Sequence, residues 1–319
     1  MESTELQARD TAQLSAILQQ TKKYVYDSKA DNTRKAYKSD WEDFSGWCES
    51  HKLSSLPSTP EIIAAYITKM ARDKKPSTIS RRIASISKAH QAAGFESPTH
   101  NILVRETLAG IRRTLSVAQT RKAPVRVASL RQVVEVIPDD LKGKRDRAVL
   151  LIGYICAFRR SELVAIDIED LEFVEEGMRI TVRRSKTDQE GKGEVMGVGY
   201  GSYGATCPVR ATQAWLEASG IVSGPVFRPI NRHSQMSDKR LSDKAVGLII
   251  KNIASALGLD PEAVGGHSLR AGFITDQYAA GTAEAVIMKR SRHKSHAVMA
   301  GYRREADMFA FNYTAAAGL

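Results

Sequence analysis

Apolar residues within residues 31–115 recur every three or four positions, which is the spacing of amphipathic α-helices. The first helix begins near Thr33 and carries its apolar stripe at Tyr37, Trp41, Phe44 and Cys48. The sequence Thr-Pro-Glu at residues 59–61 predicts a second helix start, because it combines a capping hydroxyl, a first-turn proline and an acid at the positive end of the helix dipole. Two more helices, after Pro76 and over residues 102–115, complete a small predicted bundle.

The third of these helices has two chemically different faces. Its apolar seam is formed by Ile79, Ile83 and Ile86. About 200° around the helix from that seam lie Arg81, Ser85 and Lys88. A face that is basic and carries hydroxyls is suited to contacting the backbone or a groove of DNA. An ordinary solvated face is the alternative.

The helical pattern breaks after the fourth helix. Residues 112–126 contain many Arg and Lys residues and few large apolar ones. We interpret residues 116–128 as a basic linker that lies along phosphates, with a plain flexible linker as the alternative. Ser129 is predicted to cap the next helix, so that a second domain covers residues 129–319, whereas residues 1–30 form a polar segment with one short helix.

The second domain is predicted to combine a buried helix with short strands. Residues 146–157 are almost continuously apolar, which predicts a helix that is buried on most sides. Alternating apolar and polar residues predict two strands over 171–174 and 178–184, and a third near 194–198. The predicted fold class is therefore mainly α with a small β-sheet, in which a helical domain precedes a mixed α/β domain.

Composition adds an excess of positive charge. The 319 residues include 47 Lys and Arg against 36 Asp and Glu, a formal net charge of +11, which suits a polyanionic partner such as nucleic acid. A protein that is merely basic is the alternative. Three widely spaced Cys residues favour a reduced, cytoplasmic compartment over a disulfide framework. The polar start and the lack of a membrane-length apolar run predict neither a signal peptide nor a membrane segment.

The candidate chemistry is concentrated between Gly265 and Tyr302. His267 and Arg270 are three positions apart and share one face of a helix, where the arginine can clamp a phosphate and the histidine can bond it or move its proton. Tyr302 follows His293 by nine positions and offers a hydroxyl that can act as a covalent nucleophile. The combination favours phosphoryl transfer in which the protein itself accepts the phosphate.

This stretch resembles the C-terminal signature of the tyrosine recombinases, also called the phage integrase family. The family pattern is His-x-x-Arg, then Gly-His or Gly-Trp, then the nucleophilic Tyr nine positions after that His or Trp. The spacing of His267, Arg270, His293 and Tyr302 fits, and the resemblance implies that all four are catalytic. Arg292 departs from the pattern, because it stands where the family usually has Gly.

Two further motifs extend the resemblance. The sequence Ala-Phe-Arg-Arg-Ser-Glu-Leu at residues 157–163 follows the buried helix and is similar to the family's Gly-Leu-Arg-x-Ser-Glu-Leu. The resemblance implies that Arg159 is the first catalytic arginine and that Glu162 supports it from one turn away. A Ser-Lys-Thr turn implies that Lys186 protonates the leaving 5′ oxygen as a general acid, with Lys192 as the alternate.

The helical domain also resembles the core-binding domain of these recombinases, through Asn-Thr-Arg-Lys-Ala-Tyr at residues 32–37 and the aromatic stripe after it. The resemblance implies a SAM-like, helical core-binding domain over residues 31–115 and a tyrosine-recombinase catalytic domain behind it. The residues predicted to contact DNA are Arg34, Lys35, Lys38, Arg81, Arg82, Ser85, Lys88, Arg121 and Lys122.

The resemblance implies a site-specific DNA recombinase or integrase whose Tyr302 forms a 3′-phosphotyrosine. Its expected partners are double-stranded DNA with inverted-repeat sites and further copies of the chain, as a homotetramer that holds two sites and exchanges strands through a Holliday junction. No metal or cofactor is expected, and the expected location is the cytoplasm, at the nucleoid. The alternatives are a type IB topoisomerase, which relaxes DNA as a monomer, and an inactive DNA-binding relative.

The last residues predict an assembly tail. Met308, Phe309, Phe311 and Tyr313 are too apolar for a free terminus and need a surface to bury against. The resemblance implies docking on the neighbouring protomer, which would close a ring. Packing on the same subunit is the alternative.

Overall fold

The chain forms two units in the computed structural model, Met1–Gln119 and Thr120–Leu319. The structure describes residues 14–15, 17–26, 31–115, 122–183 and 193–307, without the side chains of residues 31 and 305–307. Residues 17–26 are helical. Across the described ranges, no helix is both long and apolar enough to cross a membrane.

Within residues 31–115, the first unit is a helical bundle that follows the predicted apolar stripes. Its helices are α1 (Asp31–Ser50), α2 (Pro60–Met70), α3 (Pro76–Ala92) and α4 (Ile102–Thr114). Phe44 and Cys48 of α1, Tyr66 of α2, and Ile79 and Ile86 of α3 are buried together in its core. The apolar stripes predicted for α1 and α3 are therefore confirmed, and α2 begins at Pro60, as its capping sequence predicts.

The face of α3 opposite its apolar seam is partly buried. Ser85 is only 3 % exposed and donates a hydrogen bond to the carbonyl of Tyr37 at 2.9 Å, because α3 packs against α1 on this side. The prediction of an accessible hydroxyl at Ser85 is therefore wrong. Lys88 is exposed, as predicted, and bonds Gln91 of its own helix.

The arginines of α3 are ion-paired within the bundle. The Arg81 Nη1 atom lies 2.6 Å from the buried carboxylate of Asp40. Arg82, whose side chain is 12 % exposed, contacts the carboxylates of Asp40 and Asp43 and the hydroxyl of Tyr66. The expectation that Arg82 faces DNA therefore conflicts with the structure, which uses its guanidinium to join α1, α2 and α3.

The second unit combines helices with a small sheet. Its helices are α5 (Val127–Val136), α6 (Leu141–Ile155), α7 (Arg160–Val164), α8 (Pro208–Ser219), α9 (Asp243–Ala256), α10 (Ser268–Ala279), α11 (Glu284–Ser291) and α12 (His296–Asp307). Its described strands are β1 (Leu171–Val174), β2 (Gly177–Val182) and β3 (Glu194–Gly199), which pair antiparallel in that order. The predicted fold class, mainly α with a small β-sheet, is confirmed.

Helix α6 lies at the centre of the second core, as its apolar sequence predicts. Every residue from Ala148 to Tyr154 is buried, and α6 packs against α8 and α10. Strand β2 turns Met178, Ile180 and Val182 inward and alternate residues outward. Because α6 ends at Ile155, the residues that follow it are held at the edge of this core.

The described part of the predicted linker packs on the second unit. The N–H groups of Ala123 and Val125 donate to the carbonyls of Ala263 and Ser268, at 2.7 and 2.9 Å. Gly272 on α10 permits this approach, because a Cβ there would lie 1.7 Å from the carbonyl oxygen of Val125. Residues 122–126 therefore pack against the second unit and are not a free extended segment that could lie along phosphates.

Two basic side chains of this segment also bond residues of the second unit, and a carboxylate that is distant in sequence caps α5. Lys122 donates to the carbonyl of Glu262, and Arg126 pairs with Asp276. The N–H of Val127 donates to Asp276 Oδ2 at 2.8 Å. The prediction that Ser129 caps this helix is therefore wrong, because the helix starts earlier and its acceptor comes from α10. Arg121 lies outside the described residues.

Replacing Asp276 by alanine is expected to lower the free energy of unfolding by about 3 kcal/mol, since it removes the α5 cap and a partly buried acceptor. Asp276 also accepts from the Tyr154 hydroxyl at 2.5 Å, so the substitution removes hydrogen bonds that connect α10 to both α5 and α6. Urea unfolding followed by circular dichroism measures the change. The control is Asp238→Ala, because Asp238 pairs with Arg228 from a fully exposed position, and a shift below about 0.5 kcal/mol is expected. Equal shifts for the two variants would contradict the cap.

The three cysteines of the chain are buried and free of disulfides. Cys48 lies in the core of the first unit, and Cys156 and Cys207 lie in that of the second. Burial raises the pKa of the Cys48 thiol, and it raises the pKa of Cys156 to about 11. The thiols of Cys48 and Cys156 are therefore poor nucleophiles.

Candidate active site

The edge of the core after α6 and the start of α10 place two arginines near each other. Arg270 is 2 % exposed, and its Nη1 donates to the carbonyl of Ala157 at 2.7 Å. Ala157 has a φ of 46°, a left-handed conformation that ends α6 and leads directly to Arg159. Burial, with repulsion from Arg159, lowers the pKa of Arg270 to about 9, so its guanidinium remains charged at neutral pH.

Glu162 divides its two oxygens between two arginines. Its Oε1 accepts from Arg159 Nη1 at 2.6 Å. Its Oε2 accepts from the Arg159 backbone N–H at 3.0 Å and from Arg292 Nη2 at 2.9 Å. Burial would raise the pKa of Glu162, but Arg292 and Arg159 outweigh it and hold the pKa below its usual range. Glu162 therefore remains ionised and fixes Arg159 in front of α7.

His293 is held as a neutral ring. The Ser291 hydroxyl donates to the carbonyl of Ile287 at 2.7 Å, and since a hydroxyl has one proton, its oxygen accepts from His293 Nδ1 at 2.9 Å. The unprotonated Nε2 lies 3.3 Å from Arg270 Nη2. Burial, followed by the charge of Arg270 and other nearby cations, lowers the pKa of His293 to about 4.

In the folded protein, NMR titration of His293 is expected to show a midpoint of about 4, against about 6.5 for an unperturbed histidine. The unfolded chain protonates this ring near pH 6.5, whereas the folded protein protonates it only near pH 4. The stability that the neutral ring contributes is therefore complete above about pH 6.5 and is lost as the pH falls toward 4. His293→Gln identifies the signal, and urea-unfolded protein serves as the control. A folded-state midpoint near 6.5 would contradict the buried, arginine-flanked ring.

Tyr302 and His267 complete the described part of the site. Tyr302 lies half-buried on α12, and its ring centroid is 6.1 Å from that of His293. His267 is exposed directly before α10, close enough to help lower the pKa of His293. The structure thus brings together five of the predicted catalytic residues. Lys186 and its alternate Lys192 lie outside the described residues.

The sequence predicted no role for two further arginines at this site. Arg292 ends α11 at a φ of 56°, and its guanidinium is buried between Glu162 and the ring of Phe158. The Arg160 side chain packs across Gly266, where an added Cβ would lie 1.9 Å from the Cδ of Arg160. Arg160 therefore joins α7 to the turn before His267. The departure at Arg292 was visible in the sequence, but its contact with Glu162 was not.

The site combines an excess of positive charge with one supporting carboxylate. Arg159 keeps an accessible part, with its side chain 15 % exposed, whereas the side chains of Arg292 and Glu162 are more deeply buried. Guanidinium groups fixed in this way match the geometry of phosphate oxygens. A tyrosine hydroxyl beside them is suited to attack a phosphodiester.

Comparison with known proteins places this arrangement in a family. The profile of the phage integrase family matches residues 125–308, which contain all the catalytic candidates. The chain belongs to the phage integrase family, the tyrosine recombinases. The match also spans Lys186, although the structure leaves that position undescribed.

Relatives of this tyrosine recombinase cover most of its length. An integrase/recombinase XerD homologue of Selenomonas ruminantium is 41% identical over 295 residues, 91% of this chain and 86% of the relative. The tyrosine recombinase XerD of Pseudomonas putida is 28% identical over 253 residues, 77% of each chain. The recombinase is therefore a DNA-recombining enzyme of the XerC/XerD type.

Solved structures share the fold at low sequence identity. A lambda integrase dimer bound to a COC′ core site superposes with a TM-score of 0.58 at 17% identity, and covers 93% of this chain and 80% of its own. XerH site-specific recombinase bound to palindromic difH substrate, after cleavage, gives 0.57 at 15% identity, over 79% of this chain and 69% of its own. These similarities support the recombinase fold for the chain.

Proposed function

We propose that this recombinase cuts and rejoins DNA at specific sites with Tyr302 as its nucleophile. The observation that carries the proposal is the placement of Tyr302 beside His293, which in turn contacts the buried Arg270. Buried, fixed guanidinium groups need no reorganisation when charge develops on a phosphate in the transition state. The excess of basic residues in the chain also suits a DNA partner.

In the proposed cleavage step, the Tyr302 oxygen bonds to the scissile phosphorus and the bond from phosphorus to the 5′ oxygen breaks. Arg159 and Arg270 stabilise the non-bridging oxygens, and His267 and His293 assist by hydrogen bonding and by accepting the proton that the Tyr302 hydroxyl loses. Lys186, outside the described residues, is proposed to give its proton to the leaving 5′ oxygen. The product is a 3′-phosphotyrosine and a free 5′-hydroxyl, so the energy of the phosphodiester is conserved for rejoining.

Rejoining to a different strand requires that two sites be held together. We propose that four copies of the chain hold two inverted-repeat sites and exchange strands in two rounds through a Holliday junction. Arg34, Lys35, Lys38 and Lys88, which α1 and α3 leave at least partly exposed, are the proposed DNA contacts in the first unit. The segment over residues 308–319, outside the described residues, is the proposed contact between neighbours.

Covalent capture tests the function without knowledge of the site. Genomic DNA fragments are incubated with the protein, denatured with SDS, and filtered so that only DNA attached to protein is retained and sequenced. The expected result is enrichment of one sequence with inverted repeats, and a plasmid with two copies of it should recombine. The absence of any SDS-resistant complex would refute the proposal. Relaxation of supercoils by a monomer, without recombination, would favour topoisomerase chemistry.

A further inference from the structure

The backbone at residue 292 has a conformation that favours glycine. Arg292 ends α11 with a φ of 56° and a ψ of 39°. A left-handed conformation costs a residue with a Cβ roughly 1–2 kcal/mol, and a glycine almost nothing. Any benefit of an arginine at this position therefore comes from its side chain.

The side chain of Arg292 points into the protein. It is 7 % exposed, and its Nη1 lies 2.8 Å from the sulfur of Met196 while its planar group faces the ring of Phe158 at 5.0 Å. Its Nε is buried and has no hydrogen-bond partner among the described residues, which costs stability. A group enclosed in this way is not placed to touch DNA, so its effect passes through the residues around it.

The acidic partner of Arg292 is the carboxylate that also holds Arg159. Glu162 Oε2 accepts from Arg292 Nη2 at 2.9 Å and from the Arg159 backbone N–H at 3.0 Å, whereas Oε1 accepts from Arg159 Nη1 at 2.6 Å. Without Arg292, Oε2 keeps only the backbone N–H bond and can also accept from the guanidinium of Arg159, which gives the bidentate pair that arginine and carboxylate favour. That pair would neutralise Arg159 and turn its donors away from a bound phosphate.

We propose that Arg292 is a positioning residue for cleavage, because it occupies one oxygen of Glu162 and so keeps the remaining donors and the charge of Arg159 available to the scissile phosphate. This inference rests on the proposed function. It gives Arg292 a role in addition to the catalytic residues, although the family pattern has glycine at its position.

The first test compares cleavage with DNA binding. Single-turnover cleavage of a nicked duplex that carries the captured site traps the covalent product, and fluorescence anisotropy gives the Kd for the same DNA. Arg292→Gly is expected to lower the cleavage rate on the order of 10–100-fold, the range for partners that orient a reactive group, while the Kd changes less than about threefold. Arg292→Lys is expected to recover part of the rate, because its ammonium still attracts Glu162. A wild-type cleavage rate in Arg292→Gly would overturn the proposal.

A matched control separates this role from general loss of a buried arginine. Arg228 has a side chain 12 % exposed and also pairs with one acid, Asp238, at 2.8 Å. It makes no described contact with Glu162. Arg228→Met is expected to keep the wild-type cleavage rate, and a loss equal to that of Arg292→Gly would overturn the proposal. Where the glycine variant melts below the assay temperature, Arg292→Met repeats the test with the buried stem retained.

A double-mutant cycle decides whether Arg292 acts through Glu162. In the Glu162→Gln background, adding Arg292→Gly is expected to change the cleavage rate by less than about threefold, because the carboxylate to be oriented is already absent. If the rate reduction in the double variant equals the product of the reductions in the two single variants, the proposal is overturned. The wild-type adduct is the reference. Without that adduct the proposed function fails and this inference with it, whereas an adduct with no effect of Arg292→Gly removes only the inference.

Discussion

The variant Tyr302→Phe is expected to bind DNA with wild-type affinity and to form no covalent adduct. The substitution removes one oxygen and keeps the ring, so the packing of α12 on the core and the contact with the His293 ring are retained. Without that oxygen no bond to the scissile phosphorus can form. SDS gel electrophoresis of the nicked captured site measures the adduct, and anisotropy measures binding.

The control for this result is a second tyrosine in the same region. Tyr313 does not follow the nine-residue spacing from His293, and Tyr313→Phe is expected to form the adduct. Protease digestion of the wild-type adduct should give a phosphopeptide with the modification on Tyr302. Recovery of that modification on Tyr313 would show that the nucleophile has been assigned wrongly.

Replacing Arg270 by alanine is expected to reduce the cleavage rate roughly 10²–10³-fold, the loss that follows removal of one fixed donor from a developing charge. The guanidinium is anchored by Ala157 and contacts His293, so its position does not depend on bound DNA. The affinity for DNA should therefore change far less than the rate. Single-turnover cleavage of the nicked site at saturating protein measures the effect.

Folding has to be controlled in this case, because Arg270 is almost completely buried. Arg270→Lys keeps a charge but loses the planar fork, and it should fold while cleaving slowly. Lys251→Ala serves as the matched surface control, since Lys251 pairs with Glu262 elsewhere in the same unit. A cleavage rate within threefold of wild type for a folded Arg270→Ala variant would rule out transition-state stabilisation by this residue.

Much of the fold follows from local sequence patterns. The apolar stripes of α1 and α3 and the nearly continuous apolar run of α6 predicted helices whose buried residues the structure confirms. The cap of α5 could not be predicted in this way, because its acceptor on Asp276 lies 149 positions from Val127. Nor could the burial of Ser85, since a helical wheel finds one apolar seam and cannot show that a second helix covers the opposite face.

The site could be predicted as a set of residues, but not as a network. Spacing and motif placed Arg159, Arg270, His293 and Tyr302 in one centre, and the structure brings them together. The sharing of Glu162 between two arginines depends on where α7 and the end of α11 meet, which no spacing encodes. For the same reason, the sequence marked Arg292 only as an unusual residue.

The reactivity of the buried cysteines can measure the unfolding of each unit separately. A buried thiol reacts with an alkylating reagent only when its surroundings open. Cys48 therefore records exposure of the first core, and Cys156 and Cys207 record exposure of the second. The natural chain thus carries its own labels, which can distinguish unfolding of the first unit from unfolding of the second, the unit that contains Tyr302, without any engineered probe.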